Sequence, residues 1–128
     1  MKKFITLSFL SFIMFSFTTD SNSNIDDIII GLRNGNADQV AKYFDNTVEI
    51  TLPEKSNSYS KSQGGLILTD FFTNNNVKGF DVIHRGENAG SQYCIGTLHT
   101  RTASYRTTLF MKLKGDKQAL QEIRFENR

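Results

Sequence analysis

The spacing of apolar residues changes along the chain, and this change constrains the fold more than any other feature. Ile25, Ile28 and Leu32 recur at the interval of one helix face. Further on, Val48 and Ile50 alternate with polar residues, which is the period of a half-buried strand. A chain with helical periods first and strand periods afterwards is predicted to be an α+β protein, with helices on one face of an antiparallel sheet.

Residues that begin and end secondary structure divide this pattern into elements. Gly35 is predicted to end the first helix, and Asn36 to cap a second one, with Gln39 completing a variant of the capping box. After the strand at 47–52, residues 53–60 are predicted to be a loop or an irregular hairpin arm. Strands are predicted from Gly79 onward, joined by connections at 86–90, 101–103 and 115–117.

The stretch SKSQGGLILTDFF, which begins at Ser60, allows two interpretations. A lysine close to two glycines is reminiscent of a phosphate-binding loop, but such a loop places its glycines before the lysine, and here they follow it. Ser60 and Gln63 instead form a capping-box pattern, so the stretch is predicted to be a helix that begins at Lys61. Gly64 and Gly65 would then lie inside the helix, where close approach to another backbone would explain them.

The amino terminus has the layout of a signal peptide. Lys2 and Lys3 precede the apolar run FITLSFLSFIMFSF, which is too short to span a bilayer comfortably. The alternative is a helix packed in the core, which would have a polar face that this run lacks. Residues 1–19 are therefore predicted to be a leader and residues 20–128 a single domain, exported to the periplasm or secreted, with no membrane span after the leader is removed.

Charge and cysteine content argue against several classes of function. Lys2 and Lys3 belong to the leader, so thirteen of the fifteen basic residues remain against thirteen acidic ones. A near-neutral domain lacks the basic excess on which nucleic-acid binding depends, so no nucleic-acid partner is predicted. Cys94 is the single cysteine, which precludes an intramolecular disulfide. No nucleotide-binding or metal-binding motif is present, so no cofactor and no metal are predicted.

Several segments resemble a known superfamily. The segment NADQVAKYFDNTVEITL resembles the helix-to-strand segment of the nuclear transport factor 2-like, or cystatin-like, fold, which is a cone formed by a curved sheet around helices. The segments GGLILTDFF, GFDVIHRG, YCIGTLHT, SYRTTLFMKLKG and LQEIRF resemble a family of small secreted bacterial proteins of unknown function. The resemblance implies the cone fold with about three helices in the amino-terminal half, and it assigns no active site. The wider fold hosts isomerases, hydratases and dimerisation modules.

The ionisable strand residues do not form a convincing catalytic set. Glu49 and Glu122 lie next to apolar residues and are predicted to face water, whereas Asp81 could point inward and pair with an arginine. Cys94 and His99 are separated by an odd number of positions, which places them on opposite faces of a strand. Cys94 is interpreted as a small buried hydrophobe. His84 and His99 lack a third ligand for zinc, and no catalytic residue is predicted.

The remaining candidates lie on what is predicted to be the concave side of the sheet. Tyr93, His99 and Arg101 alternate onto one face, with Tyr105 across a short turn and Asp81 nearby. Such a face can bind a small apolar ligand, as in an isomerase or hydratase, or it can be filled by side chains or form a dimer interface. The second interpretation is preferred, which predicts a non-catalytic binding or homodimeric interaction module.

Overall fold

A computed structural model describes residues 24–128, and the predicted leader lies outside the described residues. The helices are α1 (Asn24–Asn34), α2 (Ala37–Ala41) and α3 (Lys61–Asn75). The strands are β1 (Phe44–Leu52), β2 (Lys55–Ser60), β3 (Val77–Asn88), β4 (Ser91–Thr100), β5 (Ser104–Lys114) and β6 (Lys117–Asn127). The predicted α+β class, with its helices in the amino-terminal half, is therefore confirmed.

The strands form one curved six-stranded sheet in the order β2-β1-β6-β5-β4-β3. Strands β3 to β6 follow one another as an antiparallel meander, as predicted. Strand β1 forms an antiparallel hairpin with β2 on one side and pairs in parallel with β6 on the other, with Ile50 opposite Ile123. The β1–β6 pair is thus the exception to the predicted antiparallel sheet, because the last strand returns beside the first.

Helix α1 ends, and helix α2 begins, where the sequence predicts. The apolar stripe of α1, including Ile28 and Leu32, is buried. Gly35 follows with a φ of +66°, a conformation that glycine adopts without strain. The side chain of Asn36 then accepts a hydrogen bond of 3.2 Å from the backbone N–H of Gln39, which caps α2.

Helix α3 confirms the capping interpretation of the SKSQGG stretch. The hydroxyl of Ser60 accepts a hydrogen bond of 3.3 Å from the backbone N–H of Gln63, and the helix begins at Lys61. A Cβ atom on Gly64 would lie 2.8 Å from Cγ1 of Val48 in β1, so the absence of a side chain allows α3 to pack closely on the sheet. The sequence predicted a neighbouring backbone at Gly64, and this is wrong, because the closest neighbours are side chains of β1.

Three segments differ from the predicted boundaries, and the first is β1, which begins at Phe44, three residues earlier than predicted. Residues 53–60 were predicted as a loop or irregular hairpin arm, and most of this segment is the edge strand β2. Pairing with β1 supplies the order that its polar sequence does not indicate. Strand β3 begins at Val77 and continues to Asn88, so its turn to β4 is shorter than the predicted connection at 86–90.

The helices lie against one face of the sheet, which we call the inner face, and the opposite face is called the outer face. Side chains of β5, β6 and α3 fill the space between the inner face and the helices. Leu109, Met111, Ile123 and Phe125 each have 0% exposure, and Leu68 of α3 is equally buried. The interior of the cone is therefore occupied by the protein's own side chains. Within residues 24–128, no helix has the length and apolar character needed to span a membrane.

Candidate functional site

Strand β4 divides its side chains between the two faces of the sheet. Cys94 and Leu98 are fully buried on the inner face, whereas Tyr93, Ile95 and His99 alternate with them on the outer face and are partly exposed. Tyr93 and His99 therefore share a face, in agreement with the sequence. Their predicted position on the concave side is wrong, because the helices cover that side and leave the outer face open.

Tyr105 does not join this group. It lies directly opposite Leu98 in the pairing of β4 with β5, so its side chain shares the inner face. The ring is 9% exposed and makes an edge contact with Phe71, with 5.4 Å between ring centroids. Its hydroxyl donates a hydrogen bond of 3.1 Å to Oδ1 of Asn75. The sequence could place Tyr105 near the turn, but only the register of the strands decides its face.

Asp81 and Arg85 lie on opposite faces of the sheet. A bulge between Val82 and His84 shifts the register of β3, so Arg85 lies opposite Cys94 and reaches α1, where Nη1 is 2.8 Å from Oδ1 of Asp26. Asp81 is on the outer face with its side chain 78% exposed, so the predicted inward orientation and arginine partner are wrong. An extra residue in a strand reverses the alternation beyond it, which a strict period of two cannot anticipate.

His99 connects three strands through its two ring nitrogens. Nε2 is 2.8 Å from Oδ2 of Asp81 in β3, and Nδ1 is 3.2 Å from the hydroxyl oxygen of Ser104 in β5. Ser104 lies directly opposite His99 in the strand pairing, and Asp81 is the diagonal neighbour beyond Gly79. We call Ser104, His99 and Asp81 the serine–histidine–aspartate chain. Sequence reasoning missed Ser104, because only the pairing register brings it beside His99.

Open space and charged residues lie beside the serine–histidine–aspartate chain. Gly79, directly opposite His99, has no atom within 4 Å of the position that a Cβ would occupy. Arg106 lies on the same face of β5 as Ser104 and opposite Thr97. Nη1 of Arg128 donates a hydrogen bond of 3.3 Å to the hydroxyl of the same threonine. The site is thus open above Gly79, and the charged residues near it have both signs, because Glu126 lies opposite Arg106.

Arg101, the remaining candidate, lies beyond the end of β4. It is exposed in the connection to β5, and its backbone N–H donates hydrogen bonds to the carbonyl oxygens of Asn75 and Asn76. These bonds fix the connection to the carboxyl end of α3. The backbone of Arg101 therefore has a structural role, and no contact places its side chain in the serine–histidine–aspartate chain.

A partly exposed apolar group occupies the middle of the outer face. Tyr93 lies opposite Phe110, and Ile95 lies opposite Thr108. Phe110 is 36% exposed although it is a large apolar side chain in the middle of the sheet. The hydroxyl of Tyr93 is 2.8 Å from Nε2 of His84, which orients the ring across β3. We call Tyr93, Ile95, Thr108 and Phe110 the outer apolar patch.

Charged residues of both signs surround the outer apolar patch. Nε of Arg124 donates a hydrogen bond of 2.9 Å to Glu122, and this bond and the adjacent charge raise the pKa of the guanidinium. Glu122 lies between Glu49 and Phe110 in the strand order. Glu122 and Glu49 therefore border the patch towards β1, while Arg106 and the opposing Glu126 lie farther along the same face.

Cys94 fits the interpretation made from the sequence. It is fully buried on the inner face, and burial raises the pKa of its thiol to about 11, which disfavours the reactive thiolate. It also lies on the opposite face from His99, as predicted. Among residues 24–128, no group of three or more histidine, cysteine and acidic side chains is positioned to hold a metal ion.

One cleft opens at the end of the cone, between α3 and the β1–β2 turn. Its volume is about 460 Å³, and Phe71 and Tyr105 contribute apolar surface to it. Asp70, Asn74 and Lys55 are among its polar lining residues. The cleft is separate from the outer face, and Tyr105 is the one predicted ligand-binding residue that lines it.

A curved sheet around three helices, with this strand order, defines a nuclear transport factor 2-like fold. An NTF2-like protein of unknown function from Cytophaga hutchinsonii has the same fold with a TM-score of 0.58 at 10% identity, covering 80% of this chain and 84% of that one. Within this class, the chain belongs to the family described as "Domain of unknown function (DUF4783)", whose model matches residues 25–126. The resemblance recognised in the sequence is thereby confirmed in its fold and family.

Solved structures of family members support this assignment. A DUF4783 family protein from Bacteroides ovatus is 27% identical with a TM-score of 0.77, covering 80% of this chain and 93% of that one. A second family protein, from Bacteroides uniformis, is 26% identical with a TM-score of 0.78, covering 80% and 95%. No curated protein matches the chain. The family is bacterial, and its description assigns no biochemical activity.

Proposed function

We propose that this protein is an exported interaction module that forms a homodimer through the outer face of its sheet. The observation that carries the proposal is the outer apolar patch, in which Phe110 is 36% exposed beside Tyr93 and Ile95. Large apolar side chains in the middle of an otherwise polar surface are typical of an interface centre with a polar rim. Export is proposed from the leader pattern at residues 1–19.

The charge distribution favours a second copy of the chain as the partner. A two-fold interface places the same surface on both partners, so that surface must complement itself. The outer face carries both signs of charge side by side, with Arg124 bonded to Glu122 and Glu126 directly opposite Arg106. A copy related by a two-fold rotation can therefore place acidic residues against basic ones around the apolar centre. A surface of one charge sign would favour a different partner.

The filled interior supports this function over the alternative of a ligand bound inside the cone. Leu109 and Ile123 are fully buried where an isomerase or hydratase of this fold class would need a cavity. The ionisable candidates Asp81 and His99 lie on the outer face, away from that interior. A small apolar ligand within the cone therefore gains no support from the positions of these residues.

The proposal is tested by native mass spectrometry of the protein purified from the exported fraction, together with light scattering over a concentration series. We expect a dimer of bare chains. Phe110→Glu places a charge in the middle of the apolar patch and is expected to weaken the dimer by about 30-fold or more, as for a residue at the centre of an interface. Leu66→Glu is the matched control, because Leu66 is 68% exposed on α3 and away from the sheet face.

The two variants decide the outcome together. Loss of the dimer in Phe110→Glu and its retention in Leu66→Glu would support the outer face as the interface. A wild-type protein that stays monomeric at all concentrations would overturn the proposal. A monomer that carries extra mass lost on denaturation would also overturn it, and would direct attention to a bound ligand.

A further inference from the structure

The serine–histidine–aspartate chain has the connectivity of a nucleophile, a base and an orienting carboxylate. Nδ1 and Nε2 of His99 are engaged by different partners, Ser104 at 3.2 Å and Asp81 at 2.8 Å. A carboxylate accepts hydrogen bonds and donates none, so the His99 nitrogen facing Asp81 carries the proton. The nitrogen facing Ser104 is then the one that can accept the hydroxyl proton when the imidazole is neutral.

We propose that Ser104, His99 and Asp81 form an acyl-transfer site for small carboxylic esters. Ser104 Oγ attacks the ester carbonyl carbon, and its proton moves to Nδ1 of His99. The imidazolium then returns this proton to the departing alcohol oxygen as the acyl carbon–oxygen bond breaks, leaving an acyl group on Ser104. Water attacks this acyl group with His99 again as base, which releases the carboxylic acid and restores the serine.

The surroundings of the chain indicate where an ester would bind. The open space above Gly79, directly opposite His99, can accept the acyl group without displacing protein atoms. Arg106 follows Ser104 by two positions on the same face, so its guanidinium can reach the oxygen on which negative charge develops. Arg128 adds positive charge beside Thr97. Glu126 lies directly opposite Arg106, so the surroundings carry both signs of charge and select no charge on the ester.

Exposure limits the kind of ester that the site can use. The side chain of Asp81 is 78% exposed and that of His99 is 41% exposed, so water weakens the interaction between them. Electrostatic stabilisation is strongest in a site that excludes water, which this site does not. We therefore assign small esters with good leaving groups as the substrate class, and not amides. This activity goes beyond the proposed homodimer and does not depend on it.

The test uses a fluorophosphonate probe, which transfers its phosphonyl group to an activated serine and releases fluoride. Intact-protein and peptide mass spectrometry of the whole exported chain report the amount and position of the adduct. We expect labelling at Ser104, none in Ser104→Ala, and loss of labelling in His99→Gln. Asp81→Asn is expected to slow labelling on the order of tenfold or more, because the base is no longer held in one tautomer. Asp81→Glu, which keeps the carboxylate, should restore part of the rate.

Matched variants test whether labelling is specific to Ser104 and whether it is independent of the dimer. Ser58 lies on the outer face of β2 and is exposed, so Ser58→Ala is expected to leave labelling unchanged. Labelling is also measured in Phe110→Glu, where loss of the dimer should not reduce it. Absence of an adduct on Ser104, an adduct that persists in Ser104→Ala, or equal rates in wild type, Asp81→Asn and His99→Gln would overturn the proposal.

Discussion

The inner and outer faces of the sheet carry side chains of the same strands but differ in how tightly those side chains are packed. On β5, Leu109 is fully buried between the sheet and the helices, while the next residue, Phe110, is 36% exposed. The same contrast separates Cys94 from Ile95 on β4. Both faces contain apolar groups, so apolar character alone does not distinguish a core from a candidate interface.

The inner face supplies stability, and the outer face holds the groups that can bind or react. The inner face combines aromatic contacts with close glycine packing, and its side chains have no access to partners. The outer face contains the outer apolar patch and the serine–histidine–aspartate chain, whose groups are accessible. Changes on the inner face should therefore lower the free energy of unfolding, and changes on the outer face should alter binding or reactivity instead.

The largest expected effect is the loss of an inner aromatic ring. Phe125 has 0% exposure, and its ring centroid lies 4.8 Å from that of Phe71. Phe125→Ala leaves a cavity and is expected to lower the free energy of unfolding by about 3–5 kcal/mol in urea denaturation. Phe110→Ala on the outer face is the control, with an expected loss below about 1 kcal/mol in the monomer. Similar losses in the two variants would remove the proposed distinction between the faces.

A smaller effect is expected from adding a methyl group to the inner face. A Cβ on Gly96 would lie 2.4 Å from the backbone oxygen of Asp81 and 2.4 Å from the ring of Phe80. Gly96→Ala should therefore lower the melting temperature, at a cost of about 1–3 kcal/mol from overpacking. Gly79→Ala adds the same group where no atom lies within 4 Å, and it should leave the melting temperature unchanged or slightly higher. A destabilised Gly79→Ala would contradict the open space proposed for the ester.

The smallest effect concerns two aspartates in different surroundings. Asp45 is 12% exposed and its Oδ2 lies 2.7 Å from Nζ of Lys114, and this contact lowers the pKa of the carboxyl group below the ordinary 3.8. Asp45→Asn is expected to cost about 1 kcal/mol at neutral pH. The side chain of Asp81 is 78% exposed, so Asp81→Asn should lower the free energy of unfolding by less than about 0.5 kcal/mol.

The pH dependence of the Asp45 contribution has a definite sign. A carboxyl group whose pKa is lower in the folded state stabilises the protein when it is ionised, and the contribution is lost as the pH falls through the folded-state pKa. The stability difference between wild type and Asp45→Asn should therefore be full at neutral pH and shrink below about pH 4. Urea denaturation at several pH values measures it, and a difference that grows on acidification would contradict this assignment.

The elements of the fold were largely predictable because local rules govern them. Asn36 and Ser60 cap the helices that follow them, and Gly35 adopts the left-handed conformation expected after a helix. Strand β2 was the weakest prediction, since the polar sequence KSNSYS carries little strand preference and becomes a strand through its pairing with β1. The family resemblance gave the cone fold, which no local rule provides.

The candidate site was predicted only in part. The sequence identified His99 and Asp81 as members of one group, and the structure brings them to 2.8 Å. It did not identify Ser104, and it placed Tyr105 with them although strand pairing turns that ring into the core. The bulge after Val82 places Asp81 and Arg85 on opposite faces of the sheet, and no feature of the sequence marks this bulge.

Local patterns in the sequence predicted the three helices with their buried stripes and strands β1 and β3 to β6, because these features depend on neighbours within a few residues. Long-range packing decided which face of the sheet the helices cover, and it leaves Tyr93, His99 and Asp81 on the outer face while Tyr105 turns into the core. It also decided the pairing register that joins Ser104, His99 and Asp81 across three strands. Register and face depend on contacts between residues far apart in the chain, and a shift of one residue moves a side chain to the other face.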